Sequence, residues 1–161
     1  MKLCAFSPCR KYRYTLWREF EPELEATACF NLFAMFIGLN PSTADDDQDD
    51  PTIRRCIGFA RSWGYGSLVM TNLFAWRATL PDDMKKAADP VGPENDIWLT
   101  LLAKNQSVGV IVAAWGANGS YLHRDEHVKR LIPNLQYLRI TKTGHPEHPL
   151  YLPKNLLPKP L

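Results

Sequence analysis

The chain has 161 residues, 45% hydrophobic and 22% charged, and its 19 Lys+Arg against 17 Asp+Glu give a formal net charge of +2. That balance excludes a charge-driven disordered scaffold and fits one domain, spanning residues 1–161, with a sizeable core. The longest apolar stretch, residues 108–115, is far short of a membrane span, and the start of the chain has no run suited to a signal peptide. Cys4, Cys9, Cys29 and Cys56 form no CxxC pair and no zinc-ribbon spacing, so reduced thiols in a cytoplasmic protein are expected.

In chain order, residues 12–18 alternate loosely and predict an edge strand, within a lead-in that covers residues 1–28. Residues 29–37 are almost continuously apolar and end at Gly38, the pattern of a strand buried on both faces. Asp50-Pro51 then starts a helix, with Asp as cap and Pro at the first helical position. Ile53, Cys56, Ile57, Ala60 and Trp63 supply its apolar stripe, and Gly64 ends it. Residues 67–74 predict a second inner strand, and Gly92-Pro93-Glu94-Asn95-Asp96 opens a helix running to about Asn105. A third strand covers 108–115, a third helix 119–131 and a fourth strand 135–140. Residues 141–161 read as a Pro-rich tail bordering the strand ends. Strand and helix alternate, which predicts an α/β fold with a parallel sheet covered by helices on both faces.

In such a sheet, ligands bind beyond the carboxyl ends of the strands. The four ends lead into Gly38-Leu39-Asn40-Pro41-Ser42-Thr43, Asn72-Leu73-Phe74-Ala75-Trp76-Arg77, Trp115-Gly116-Ala117-Asn118 and Thr141-Lys142-Thr143-Gly144-His145-Pro146-Glu147-His148-Pro149. Such residues are common in turns anyway. Four polar loops on one rim nevertheless make a site for a flat, hydrogen-bonding ring: amides read its edge and aromatics stack on its face. Charge is uneven as well. Residues 21–50 hold Glu21, Glu23, Glu25, Asp45, Asp46, Asp47, Asp49 and Asp50 and no Lys or Arg. Arg124, Lys129, Arg130, Arg139, Lys142, Lys154 and Lys159, with Arg10, Lys11, Arg13 and Arg18, could form a basic face if the termini meet, a scattered solvated surface being the equal alternative.

From Tyr14 to Leu152 the chain resembles the uncharacterised bacterial and phage family numbered 1643 among domains of unknown function. Leu39-Asn40-Pro41-Ser42-Thr43-Ala44-Asp45, Asp50-Pro51-Thr52-Ile53-Arg54-Arg55-Cys56, Asp89-Pro90-Val91-Gly92-Pro93-Glu94-Asn95-Asp96 and Gly144-His145-Pro146-Glu147-His148-Pro149-Leu150-Tyr151 carry that match. More distantly, the strand ends resemble the uracil-DNA glycosylase superfamily. Gly38-Leu39-Asn40-Pro41 is similar to its Gly-x-Asn-Pro motif, and Val69-Met70-Thr71-Asn72-Leu73 to the strand whose Asn recognises the base. Residues 110–116 resemble its strand ending Trp-Gly, and His145-Pro146 or His148-Pro149 its closing His-Pro motif. The resemblance implies a three-layer αβα sandwich around a central four-stranded parallel sheet, and hydrolysis of an N-glycosidic bond on a base flipped out of nucleic acid.

By that resemblance Asn40 orients the attacking water, and His145 or His148 stabilises the departing base. Gly38, Leu39, Pro41, Ser42, Thr43, Asn72, Phe74, Trp76, Arg77, Trp115 and Gly116 would contact the substrate. The most active branch has an aspartate where this chain has Asn40; an amide positions water but takes no proton. The alternative is a nucleotide- or nucleic-acid-binding module that keeps the pocket without the hydrolysis. Either way the partner is a base-bearing ligand, with no cofactor, no metal and no membrane, and a monomer is expected. His123-Arg124-Asp125-Glu126-His127 fits an H-x-x-E-H zinc pattern but reads as a solvated helix face. Asp45, Asp47 and Asp49 alternate like a calcium loop, yet Asp50 and Cys56 stand where Gly and Glu are required. They read as a solvated loop, with Mg²⁺ beside a nucleotide's phosphates as the second reading.

Overall fold

The computed structural model describes residues 2–21, 29–43 and 49–161. One seven-stranded sheet runs through the molecule: β1 (Lys2–Phe6), β2 (Arg13–Glu19), β3 (Phe33–Gly38), β4 (Ser67–Asn72), β5 (Val108–Ala113), β6 (Gln136–Tyr137) and β7 (Lys159–Pro160). Their spatial order is β1-β2-β4-β3-β5-β6-β7. The inner strands β4, β3, β5 and β6 pair in parallel, while β1, β2 and β7 are added antiparallel. The fold is therefore mixed α/β, and among the described residues the sheet has seven strands, three antiparallel ones being added to the four in parallel where one edge strand was expected. The segment at 12–18 is not the edge either, because β1 covers it, pairing Leu3 with Trp17 and Cys4 with Leu16.

Helices cover both faces, and strand parity shows which side each serves. Ala34 and Phe36 of β3 pack with Ile53, Cys56, Phe59 and Ala60 of α1 (Pro51–Ser62). Met35 and Ile37 point the other way, towards Met84 of α2 (Pro81–Lys85), Leu99 and Leu102 of α3 (Asn95–Ala103) and Val128 of α4 (Arg124–Leu131). Every residue of β3 is buried, which is why its sequence shows no alternation. Asp50 caps α1 by accepting the Ile53 N–H at 2.8 Å, a contact typically worth about 1 kcal/mol. Three tryptophans pack against neighbouring rings: Trp17 meets Phe33 edge-on, Trp63 stacks on Phe36 and Phe59, and Trp98 stacks on Tyr14.

Two local departures shape the rim. The expected helix at 119–131 is broken: a 3₁₀ segment, Ala117–His123, turns through left-handed Leu122 (φ 54°) and His123 (φ 52°) before α4 begins. The tail is not unstructured. It forms a 3₁₀ turn, Pro149–Tyr151, and returns as β7 alongside β6. No helix of the described residues is long and apolar enough to cross a membrane.

Candidate functional site

The carboxyl ends of β3, β4 and β5 and the segment after β6 open into one cleft of about 450 Å³, within the size range of small-molecule sites. Gly38, Leu39, Asn40, Pro41 and Ser42 enter from β3, Asn72 from β4, Trp115 and Gly116 from β5, and His148 from the last loop. Asp50 and the first turn of α1 close one wall, and Arg13 of β2 and Thr79 complete the rim.

The polar groups of this cleft are oriented by the backbone around them. Asn40 donates from Nδ2 to the carbonyls of Ala78 (2.8 Å) and Pro41 (3.2 Å), which fixes the amide orientation and leaves Oδ1 as an acceptor. Asn72 is only 4% exposed, yet its side-chain amide has no hydrogen-bond partner among the described residues. Glycine at 38 makes room for it: an added Cβ would lie 2.8 Å from Asn72 Oδ1 and 2.9 Å from Met70 Cε. His148 accepts the Leu150 N–H on Nδ1 (3.3 Å), so the neutral ring carries its proton on Nε2. Burial pushes the His148 pKa below its ordinary value, with the Asp50 charge opposing. Asp50 is the sole carboxylate among the described lining residues, and one of its oxygens is engaged in capping α1. Trp115 is buried against Gly119, and its Nε1–H has no partner among the described residues.

Other residues expected at the site sit elsewhere. His145 does not line the cleft; its backbone closes a turn with Thr141, N–H to Oγ1 at 3.1 Å and carbonyl to N–H at 2.8 Å. Phe74 is wholly buried against Tyr121: β4 ends at Asn72, so the alternation stops and Phe74 packs with Val69 and Leu73 rather than on the side of Leu68 and Met70. Trp76 meets Tyr12 edge-on at 5.4 Å, and the Arg77 guanidinium lies 5.1 Å over Phe6, so neither faces the cleft. Thr43 lies just outside, its Oγ1 2.9 Å from that of Thr79. Asp45 and Asp47 fall outside the described residues.

The expected basic face is corrected too, since several of its cations are buried or paired. Arg18 binds Asp49 at 2.6 Å, Arg124 binds Asp96, and Arg139 grips Glu147 through two hydrogen bonds. Arg13 is 5% exposed. His123 and His127 do not converge: His123 lies near Glu126, whereas His127 Nε2 contacts Asp96 at 2.9 Å. No group of three or more His, Cys, Asp or Glu among the described residues is gathered as for a metal.

Sequence reasoning missed two sets of residues. Asp50 was visible only as a helix cap, although the helix that follows a strand must begin on the rim where ligands bind. The second set steadies the β4 end from behind. Asn95, 1% exposed, donates from Nδ2 to the carbonyls of Asn72 (3.0 Å) and Leu73 (2.9 Å). Arg124 Nε adds a third bond to Leu73 O (2.8 Å), and its other arm holds Asp96. Burial raises the Asp96 pKa, but the hydrogen bonds and charges of Arg124 and His127 outweigh it and hold the carboxyl below its ordinary value.

No curated protein and no solved structure matches the chain. The model of the family described as protein of unknown function DUF1643 matches residues 13–150. That span takes in every described residue lining the cleft, from Arg13 to Leu150. The chain belongs to the DUF1643 family.

Proposed function

We propose that the cleft binds a nucleobase, as part of a nucleotide or a nucleic-acid strand, and hydrolyses its N-glycosidic bond. The observation that carries this reading is Asn72: a side chain 4% exposed, lining the cleft, with an unpartnered amide. An amide offers one acceptor and two donors in one plane, which matches the edge of a base, and this one opens to the cleft with none of them engaged by the described residues. The resemblance of the four strand-end segments to the uracil-DNA glycosylase superfamily supports the same reading, as an αβα sandwich of that type.

In this scheme Asn40 Oδ1 accepts a hydrogen bond from water and aims it at the sugar carbon. The amide takes no proton, so the free oxygen of Asp50 is the group in the cleft suited to receive one. As the C–N bond breaks, negative charge builds on the base, and the Nε2–H of neutral His148 donates to its oxygen. Of the two histidines, His148 takes the catalytic role in this reading, because it lines the cleft and His145 does not. The engagement of Asp50 as a helix cap favours a second reading, a module that binds the same ligand without cleaving it.

Release of free base distinguishes the two. The substrates are oligonucleotides carrying uracil, hypoxanthine, xanthine or a mismatch, with deoxynucleotides and nucleosides alongside. Cleavage that falls roughly 10²–10³-fold in His148→Ala, the scale for losing one transition-state donor, supports the hydrolase. Asn72→Ala should chiefly change which base is accepted, because it contacts the base before and during reaction alike. Tight nucleotide binding without release moves the reading to the binding module, and neither binding nor release ends both.

A further inference from the structure

A second concavity, about 460 Å³, lies along the outer face of α1 where the C-terminal segment crosses it. Arg54, Arg55 and Lys154 line it together with Gly58, Phe59, Ser62 and Asn155, and no acidic residue among the described residues does. Unlike Arg18, Arg124 and Arg139, these three cations have no acidic partner among the described residues. Arg54 donates a hydrogen bond to the Asp49 carbonyl. The Arg55 guanidinium lies 5.3 Å over the Phe59 ring, and its Nε–H is buried without a partner among the described residues.

Gly58 adds an independent observation. It stands in the interior of α1, where glycine is the least favourable ordinary residue. Nothing among the described residues requires it there: an added Cβ would meet none of their atoms within 4 Å. Its absence leaves a bare strip of helix backbone between the arginines and Ser62. That strip is useful to a chain that must approach the helix closely.

We propose that this groove holds the phosphodiester backbone of a nucleic-acid strand. The choice of partner rests on the base-binding reading of the cleft, because the same two stretches of chain line both concavities. Ile53 and Leu150 line the cleft, and Arg54, the next residue of α1, and Lys154, four residues after Leu150, line the groove. A strand lying over Gly58 meets arginine forks suited to phosphate oxygens and delivers a base towards Asn72. The ligand of the cleft is then one residue of a polymer, and a free nucleotide engages only part of the surface.

The test uses the full chain and fluorescence anisotropy with an abasic sugar–phosphate oligomer, which has no base for the cleft. Its binding should weaken with salt, and Arg54→Ala/Lys154→Ala should reduce the log–log salt slope by about 1.4, near 0.7 per lost contact. Gly58→Ala should raise the melting temperature and weaken oligomer binding, a pair of changes that a merely structural glycine would not produce. Nucleoside binding in the cleft should be unchanged in all variants. An oligomer that binds without salt dependence, or equally to wild type and variants, overturns the proposal while nucleoside binding keeps the cleft reading. Oligomer binding with the expected slope but no nucleoside binding supports the groove and removes the cleft reading. Equal competition by polyglutamate overturns the assignment to a phosphodiester.

Discussion

Two polar clusters meet at the end of β4, one on each side of the Asn72–Leu73 backbone. Behind it, Asn95, Arg124, Asp96 and His127 bond to each other and to the strand's carbonyls. In front, Asn72 leaves its side-chain amide unpartnered, and Asn40 and His148 keep Oδ1 and Nε2–H clear of the bonds that orient them. Both clusters are rich in amides and imidazole, so residue type does not separate them. What separates them is where the unused capacity faces: behind the strand Asn95 Oδ1 is buried without a partner among the described residues, whereas the front groups open to the cleft. The rear cluster satisfies buried carbonyls and holds the fold, and the front cluster faces a cavity with donors and acceptors to offer.

The sharpest way to break that contrast is a matched pair of substitutions. Asn95→Ala removes a donor from two buried carbonyls and should destabilise the protein by about 1–3 kcal/mol in urea unfolding. Asn72→Ala should stay within about 1 kcal/mol, because an unpartnered amide loses no hydrogen bond, while the base preference of the cleft changes. Equal stability losses in the two variants would end the distinction. A smaller effect sharpens it: Gly38→Ala drives a methyl towards Asn72 Oδ1 and the flexible Met70 end. The expected cost is about 1–2 kcal/mol, with a loss of binding beyond what that destabilisation explains. Unchanged affinity would mean that the position of Asn72 is irrelevant to the ligand.

The smallest effect is one of pH. Burial lowers the His148 pKa in the folded state, so the unfolded chain binds the proton more readily. The stability due to the neutral ring is therefore whole above the ordinary histidine pKa of 6.5. It is lost as the pH falls from there through the folded value. His148→Gln should flatten the unfolding midpoint between about pH 7 and pH 5; an unaltered profile would show that this ring is not the buried titrating group.

The inner strands and α1 are legible because single patterns dominate them: β3 is apolar throughout, and Asp50-Pro51 caps a clear stripe. β1 escapes notice because its residues are exposed or half-buried, so burial imposes no alternation on Lys2–Phe6. The broken helix escapes too, since nothing local marks Leu122 and His123 for left-handed backbone. At the site, carboxyl-end logic finds Asn40, Asn72, Trp115 and His148, all lining one cleft. It does not choose between two His-Pro pairs three residues apart, because the turn closed by Thr141 and His145 sets that register. It also misplaces Phe74, whose inward direction depends on where β4 stops.

The strand order also governs how the chain is made. The β1–β2 hairpin closes locally, but its inner neighbour is β4, with Leu16 opposite Met70, and the whole of β3 and α1 is synthesised in between. Until β4 emerges, β2 presents a row of free N–H and C=O groups beside Leu16 and Trp17, and the contact that covers them must close a long loop. A nascent chain halted after α1 is thus a ready template for strand pairing with another copy.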